Sequence, residues 1–100
     1  MSKLDITDFK ASLDQETPPP DLSGALKALW HQAKGDWKKA HQLVRADGNA
    51  DGKWVHAYLH RVQSNESRAG KLYRHAERST SSVPLEQEWE EIVSALLNRR

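Results

Sequence analysis

Two histidines and an arginine lie together on a predicted helix in the middle of the chain, in the stretch Trp54-Val55-His56-Ala57-Tyr58-Leu59-His60-Arg61. His56 and His60 are four residues apart, so their side chains stack one turn apart on the same helix face. Imidazoles at this spacing can share a metal ion, or they can offer hydrogen-bond donors and acceptors to a partner. Arg61 adds a planar fork that suits a carboxylate or a phosphate.

The opposite side of this helix is apolar and carries Trp54, Val55, Tyr58, Leu59 and Val62. A stripe of this width is typical of a core-facing helix surface. We therefore expect one side of the helix to be core and the histidine side to be an exposed polar surface. The small side chain of Ala57 leaves room there for the close approach of a ligand.

The predicted site adds side chains from neighbouring segments to that surface, and it comprises Trp37, His41, Trp54, His56, His60 and Arg61. We expect a non-catalytic module that uses this site to bind a protein segment or a small anionic ligand, with no cofactor. The alternative is a metal-dependent or other small enzyme that uses His41, His56 and His60. Instead of His41, the third metal ligand can be His31 or a carboxylate. The residue after His56 is not the glutamate that zinc proteases have between their two helical histidines.

A second motif, Asp47-Gly-Asn49-Ala-Asp51-Gly52, matches the opening of a calcium-binding EF-hand loop. Its twelfth position should be a bidentate glutamate, and it is Tyr58 instead. The same residues are ordinary turn formers. We interpret the segment as a turn in which Asp51 caps the following helix, and not as a calcium site.

The composition restricts the class of protein. A chain of 100 residues fits one domain, and it contains no cysteine, which excludes disulfides and thiolate metal sites. The N-terminal residues lack the apolar region of a signal peptide, and no apolar run is long enough to cross a membrane. These features predict a cytoplasmic protein.

The net charge is only +1, but basic residues are concentrated between positions 23 and 83 while acidic residues dominate both ends. Arg68, Lys71, Arg74 and Arg78 give the fifth predicted helix a basic face. We interpret this face as solvated, with anion or nucleic-acid binding as the alternative, because no nucleic-acid recognition motif is present.

Apolar residues recur with helical spacing throughout, and no useful length of the chain alternates with the period of a strand. The fold is therefore predicted to be all-α and to form a single domain. A short N-terminal helix and a proline-rich link occupy 1–21, two helical hairpins occupy 22–78, and a C-terminal helix lies within 79–100. The predicted helices cover 5–14, 22–34, 37–46, 53–63, 66–77 and the residues after Pro84.

The two hairpins resemble each other. A shift of 29 residues aligns Leu26 with Val55 and His31 with His60. Each half has a helix, a polar turn and a second helix with an alanine placed for close approach. The pattern resembles the helical hairpin of tetratricopeptide-type repeats, and in such an arrangement the terminal helices act as caps.

A closer resemblance is to a family of small uncharacterised bacterial all-helical proteins. It extends over most of residues 9–97. The motifs that carry it are Ala28-Leu-Trp30, Gly35-Asp-Trp37, Ala40-His41, the full Trp54–Arg61 stretch and Glu88-Trp89. The chain departs from that family at 64–73, where the family has a Glu-Gly-Asp turn, an asparagine and an aromatic cluster. The resemblance implies a helical fold but no particular activity, and a family site that uses the fifth helix would be altered here.

Overall fold

Caps and turn formers divide the chain into short helices. A computed structural model describes residues 4–80 and 82–98, and within that part of the chain every regular element is helical. We number the helices α1 (Ile6–Ala11), α2 (Gly24–Ala33), α3 (Trp37–Val44), α4 (Ala50–Val62), α5 (Glu66–His75) and α6 (Leu85–Asn98), and a 3-10 turn at Ser12–Asp14 follows α1. The all-α fold predicted from the sequence is confirmed.

Polar side chains cap the starts of four of these helices. Each accepts a hydrogen bond from the backbone N–H three residues later, as N-caps do, and the four are Asp5, Ser23, Asp36 and Asn65. Gly35 follows α2 with a φ of 88°, a left-handed conformation that glycine adopts readily. The link between α2 and α3 is therefore short, and the two helices pack as a hairpin.

The start of α4 differs from the prediction. The helix begins at Ala50 rather than at Lys53, and its cap is Asn49, whose side-chain oxygen accepts from the Asp51 N–H at 2.8 Å. Asp51 instead lies in the first turn, where the helix dipole favours a negative charge. Asp47 accepts from the Asn49 N–H at 2.9 Å, and a Cβ at Gly52 would collide with the Asp47 side chain. Residues 45–49 form the predicted turn, but Ala50–Gly52 already belong to α4, so the prediction of Asp51 as the cap is wrong and the capping residue is Asn49.

Helix α4 is the central element. It packs most extensively against α5 and also contacts α3, α2 and α6, while α1 packs on α6. The apolar stripe predicted for α4 is core, and Leu59 and Val55 are fully buried. The apolar residues Trp89, Ile92, Val93, Leu96 and Leu97 of α6 are buried too, whereas Leu85, the first residue of the helix, is 38% exposed.

No helix in the described part of the chain combines the length and the apolar character that a membrane crossing requires.

Candidate metal centre

Three histidines from two helices meet at the seam between α3 and α4. His56 and His60 lie one turn apart on α4, as their spacing predicts, and His41 reaches them from α3. The Nε2 atom of His56 lies 3.0 Å from Nε2 of His41 and 3.2 Å from Nε2 of His60. One ring nitrogen from each histidine can be chosen so that all three lie within 4.8 Å of one another.

The two short contacts at His56 Nε2 cannot both be ordinary hydrogen bonds. A ring nitrogen of a neutral imidazole carries either one hydrogen or one lone pair, so it directs a single bond. Two other ring nitrogens crowd this one atom. Convergence of three nitrogens is what a shared cation requires, since zinc–nitrogen bonds of about 2.0–2.1 Å in a tetrahedral site place the nitrogens about 3.4 Å apart.

The surroundings keep these imidazoles neutral. The pKa of His56 is lowered from 6.5 to about 4, mainly by burial and then, in decreasing order, by the neighbouring His41, His60 and Arg68. Burial is also the main cause that lowers the pKa of His41 and of His60. At neutral pH each ring therefore has a free lone pair, which is the state that binds metal.

Trp37 forms one wall of the cluster. Its ring stacks on the His41 ring at 4.7 Å with an angle of 11° between the planes, and it meets His60 edge-on at 5.7 Å. The indole N–H donates to the backbone carbonyl of Leu59 at 2.8 Å, which fixes the plane of the indole. Trp37 thereby restricts the orientation of two of the three imidazoles.

The cluster lies largely inside the protein. His56 is 6% exposed and His60 is 7% exposed, while His41 is only half-buried and therefore provides the side nearest to solvent. The Nδ1 atom of His60 is buried and has no hydrogen-bond partner among the described residues. An unpartnered buried ring nitrogen is costly in a purely structural cluster.

This burial corrects the expectation of an exposed polar surface. The histidine side of α4 is covered by α3, whose Trp37 and His41 lie against His56 and His60, so the helix has buried residues on more than one side. A helix that is surrounded by other helices can be buried on all sides, even when its sequence has an amphipathic pattern.

Only four of the six residues predicted to form the site lie together in the structure. Trp37, His41, His56 and His60 come together, whereas Trp54 is buried elsewhere, with the Arg78 guanidinium 3.7 Å from the centre of its ring. The remaining member, Arg61, belongs to a different polar network.

Arg61 forms an ion pair with a buried carboxylate. Its Nη1 donates to Oε1 of Glu88 at 2.7 Å, and its Nη2 donates to the backbone carbonyl of Val83. The other oxygen of Glu88 accepts from the hydroxyl of Tyr73 at 2.5 Å. The Arg61 fork is therefore occupied by groups of the protein itself and is not presented to a ligand.

Sequence reasoning did not identify this network, although a signal for it exists. Glu88 is three residues after Leu85 and four before Ile92, so it falls on the apolar stripe of α6. A glutamate on a buried stripe needs a cationic partner. Arg61, at the end of the central helix, is that partner.

In comparisons with known proteins, no family model, no curated protein and no solved structure matches this chain. The resemblances to the bacterial family and to tetratricopeptide-type hairpins therefore stay predictions from the sequence.

Proposed function

We propose that this protein binds one divalent transition-metal ion through His41, His56 and His60. The observation that carries the proposal is the crowding of two imidazole nitrogens, at 3.0 and 3.2 Å, around Nε2 of His56. A bound cation would accept a lone pair from each of the three rings, whereas hydrogen bonding can satisfy only one of the two contacts at Nε2 of His56. The alternative interpretation of the sequence, a metal-dependent or other small enzyme, uses the same three histidines. The burial of the expected ligand surface favours a metal site there over the binding of a protein segment.

The ligand chemistry limits the choice of metal. Imidazole nitrogens suit zinc, copper, nickel and iron, whereas calcium and magnesium prefer oxygen ligands. Three imidazoles also form the ligand set of zinc sites that leave a position open to water or substrate. We therefore take zinc as the expected ion and cobalt as its spectroscopic substitute.

Neighbouring groups support the same assignment. The three pKa values are lowered, so protons compete weakly with a metal at neutral pH. Trp37 holds the His41 ring in place through its hydrogen bond to Leu59, which reduces the ordering that metal binding would require. His41 is half-buried and gives an ion a route from solvent.

Calorimetric titration of the metal-free protein with zinc tests this function. We expect one ion per chain for the wild type and an affinity weaker by about a hundredfold or more for His41→Ala, because one of three ligands is lost. His75→Ala is the matched control, since it removes an exposed imidazole from α5 that lies outside the cluster. Equal zinc affinity in all three proteins would contradict the proposal.

A further inference from the structure

A cavity of about 460 Å³ opens between α1 with its 3-10 turn, the ends of α2 and α4, and the start of α6. Its two residues from α4 lie on the side of that helix opposite to the histidines. Most of the lining is apolar and consists of Leu13, Ala33, Tyr58, Val62, Leu85 and Trp89. Sites for small organic molecules have this kind of lining and volumes of about 300–1,000 Å³.

Hydrogen bonds between distant helices hold the walls of the cavity in place. The hydroxyl of Tyr58 donates to the carbonyl of Leu85 at 3.2 Å, which ties α4 to α6. The indole N–H of Trp89 donates to the carbonyl of Leu29 at 3.0 Å, which ties α6 to α2. Because these walls are already ordered, a bound molecule would gain affinity that would otherwise be lost to ordering the site.

The exposed side chain of Leu85 also lies in this lining. At 38% exposure, Leu85 is the one large apolar residue of the described ranges that is classed as exposed rather than buried or half-buried. A bound apolar group that covers it would remove apolar surface from water, and this removal favours binding.

The uncompensated charge at the cavity is negative. Among its charged lining residues, Lys10 pairs with Glu90 at 2.7 Å, whereas Glu86 forms no ion pair with any residue that the structure describes. The charge of Glu86 also acts on Tyr58 in the same lining. Burial, then Glu88 and then Glu86 raise the pKa of that phenol. A bound cation would compensate the charge of Glu86.

We infer that this cavity binds a small organic cation, with its apolar body against Tyr58 and Trp89 and its ammonium group beside Glu86. The apolar lining provides affinity for the body of the molecule, and the carboxylate selects a cation over a neutral or anionic molecule of the same shape. Aromatic rings support this selection, since their faces attract cations. The lining contains no residue of the histidine cluster, so the inference is independent of the proposed metal site.

Three probes of nearly the same shape test the inference: phenethylamine, phenethyl alcohol and phenylacetate, which are cationic, neutral and anionic at neutral pH. Nuclear magnetic resonance of the nitrogen-15-labelled full chain measures each affinity and locates the binding, because the Trp89 indole N–H and the Glu86 backbone N–H lie at the cavity. The variants are Glu86→Gln and, as the matched control, Glu91→Gln, which changes an exposed glutamate of α6 outside the lining.

Phenethylamine should bind the wild type with saturation and a few-fold more tightly than phenethyl alcohol, since an ion pair at an exposed carboxylate adds a modest gain. Phenylacetate should bind most weakly. Glu86→Gln should abolish the preference for the amine and leave the affinity for the alcohol within about twofold, whereas Glu91→Gln should keep the preference. Ala33→Leu, which enlarges a side chain of the lining, should weaken the binding of both molecules about tenfold through a steric clash.

The comparison of probes in the wild type needs no variant, so it decides the charge of the ligand even where a variant does not fold. Equal affinities, or tightest binding of phenylacetate, would overturn the assignment of a cation, as would an amine preference that survives in Glu86→Gln. The absence of saturable binding at the Trp89 and Glu86 signals would overturn the site. Changes at those signals when the protein alone is concentrated would identify a second copy of the chain as the occupant and overturn the inference.

Discussion

The Nε2 atoms of His41 and His56 lie 3.0 Å apart although the two residues belong to different helices. Helix α4 presents the pair His56 and His60 by its own periodicity, and the packing of α3 against it adds His41. A site that depends on two helices in this way forms only when the tertiary structure does. Metal binding should therefore be linked to folding.

Trp37→Phe should weaken zinc binding without removing a ligand. Phenylalanine can still contact His41, but it loses the hydrogen bond to Leu59 that fixes the aromatic plane. A lost hydrogen bond costs about 0.5–1.5 kcal/mol, so we expect an affinity a few-fold lower in calorimetry. Trp54→Phe is the control, because Trp54 contacts Arg78 and lies outside the cluster. Equal losses in both variants would contradict a positioning role for Trp37.

The ion pair between Arg61 and Glu88 should be important for stability. Glu88 is 2% exposed, so Arg61→Met leaves a buried carboxylate without its cation, and we expect the free energy of unfolding to fall by about 3–5 kcal/mol. A substitution of an exposed, unpaired arginine would instead change the free energy of unfolding by no more than about 0.5 kcal/mol.

Chemical denaturation of a second variant checks the cause. Adding Glu88→Gln to Arg61→Met should restore part of the loss, because the remaining side chain is neutral. A loss below about 1 kcal/mol for Arg61→Met alone would show that the pair is solvated and not buried.

The helices could be predicted from the sequence because their signals are local. The helices α3 and α5 begin at the predicted residues, Trp37 and Glu66, directly after the caps Asp36 and Asn65. The apolar stripe predicted for α4 packs in the core. The predicted start of α4 is wrong because two polar residues only two positions apart, Asn49 and Asp51, are both good caps. Only the backbone conformation decides between them.

The candidate site could be predicted in part. The spacing of His56 and His60 identified the pair, but the sequence offered His41, His31 or a carboxylate as the third partner. Which of these reaches the pair depends on how the hairpins pack, and no local pattern contains that information. The burial of the histidine side of α4 and the ion pair between Arg61 and Glu88 also depend on how distant helices pack, so local sequence patterns do not predict them.

Asn49→Ala should destabilise the protein by about 1 kcal/mol, since the cap of the central helix is lost. Asp51→Ala should cost less, because that side chain contributes through the helix dipole and not as the cap. Thermal denaturation of both variants compares the two residues directly. A larger loss for Asp51→Ala, or a melting temperature that rises with calcium and not with magnesium, would contradict the cap assignment.

The two tyrosines should resist ionisation as long as the protein is folded. Burial raises the pKa of Tyr58 from 10.0 to about 12, and burial with the hydrogen bond to Glu88 raises that of Tyr73 well above its usual value. The folded state therefore keeps protons that the unfolded chain releases. The corresponding stability is fully present below pH 10 and is lost as the pH rises above it.

An alkaline titration followed by tyrosinate absorbance and far-ultraviolet circular dichroism measures this effect. Both signals should change together, at a pH above 10, since ionisation accompanies unfolding. Tyrosinate absorbance that rises near pH 10 while the helical signal is intact would show that the phenols are accessible in the folded protein.

The central claim is that three imidazoles from α3 and α4 hold one metal ion, and X-ray absorption spectroscopy at the zinc edge of the zinc-loaded protein tests it most directly. We predict scattering from three imidazole nitrogens at about 2.0–2.1 Å, and from two in His41→Ala. A zinc environment made of oxygen ligands, a histidine count that His41→Ala leaves unchanged, or a protein that retains no zinc would contradict the claim.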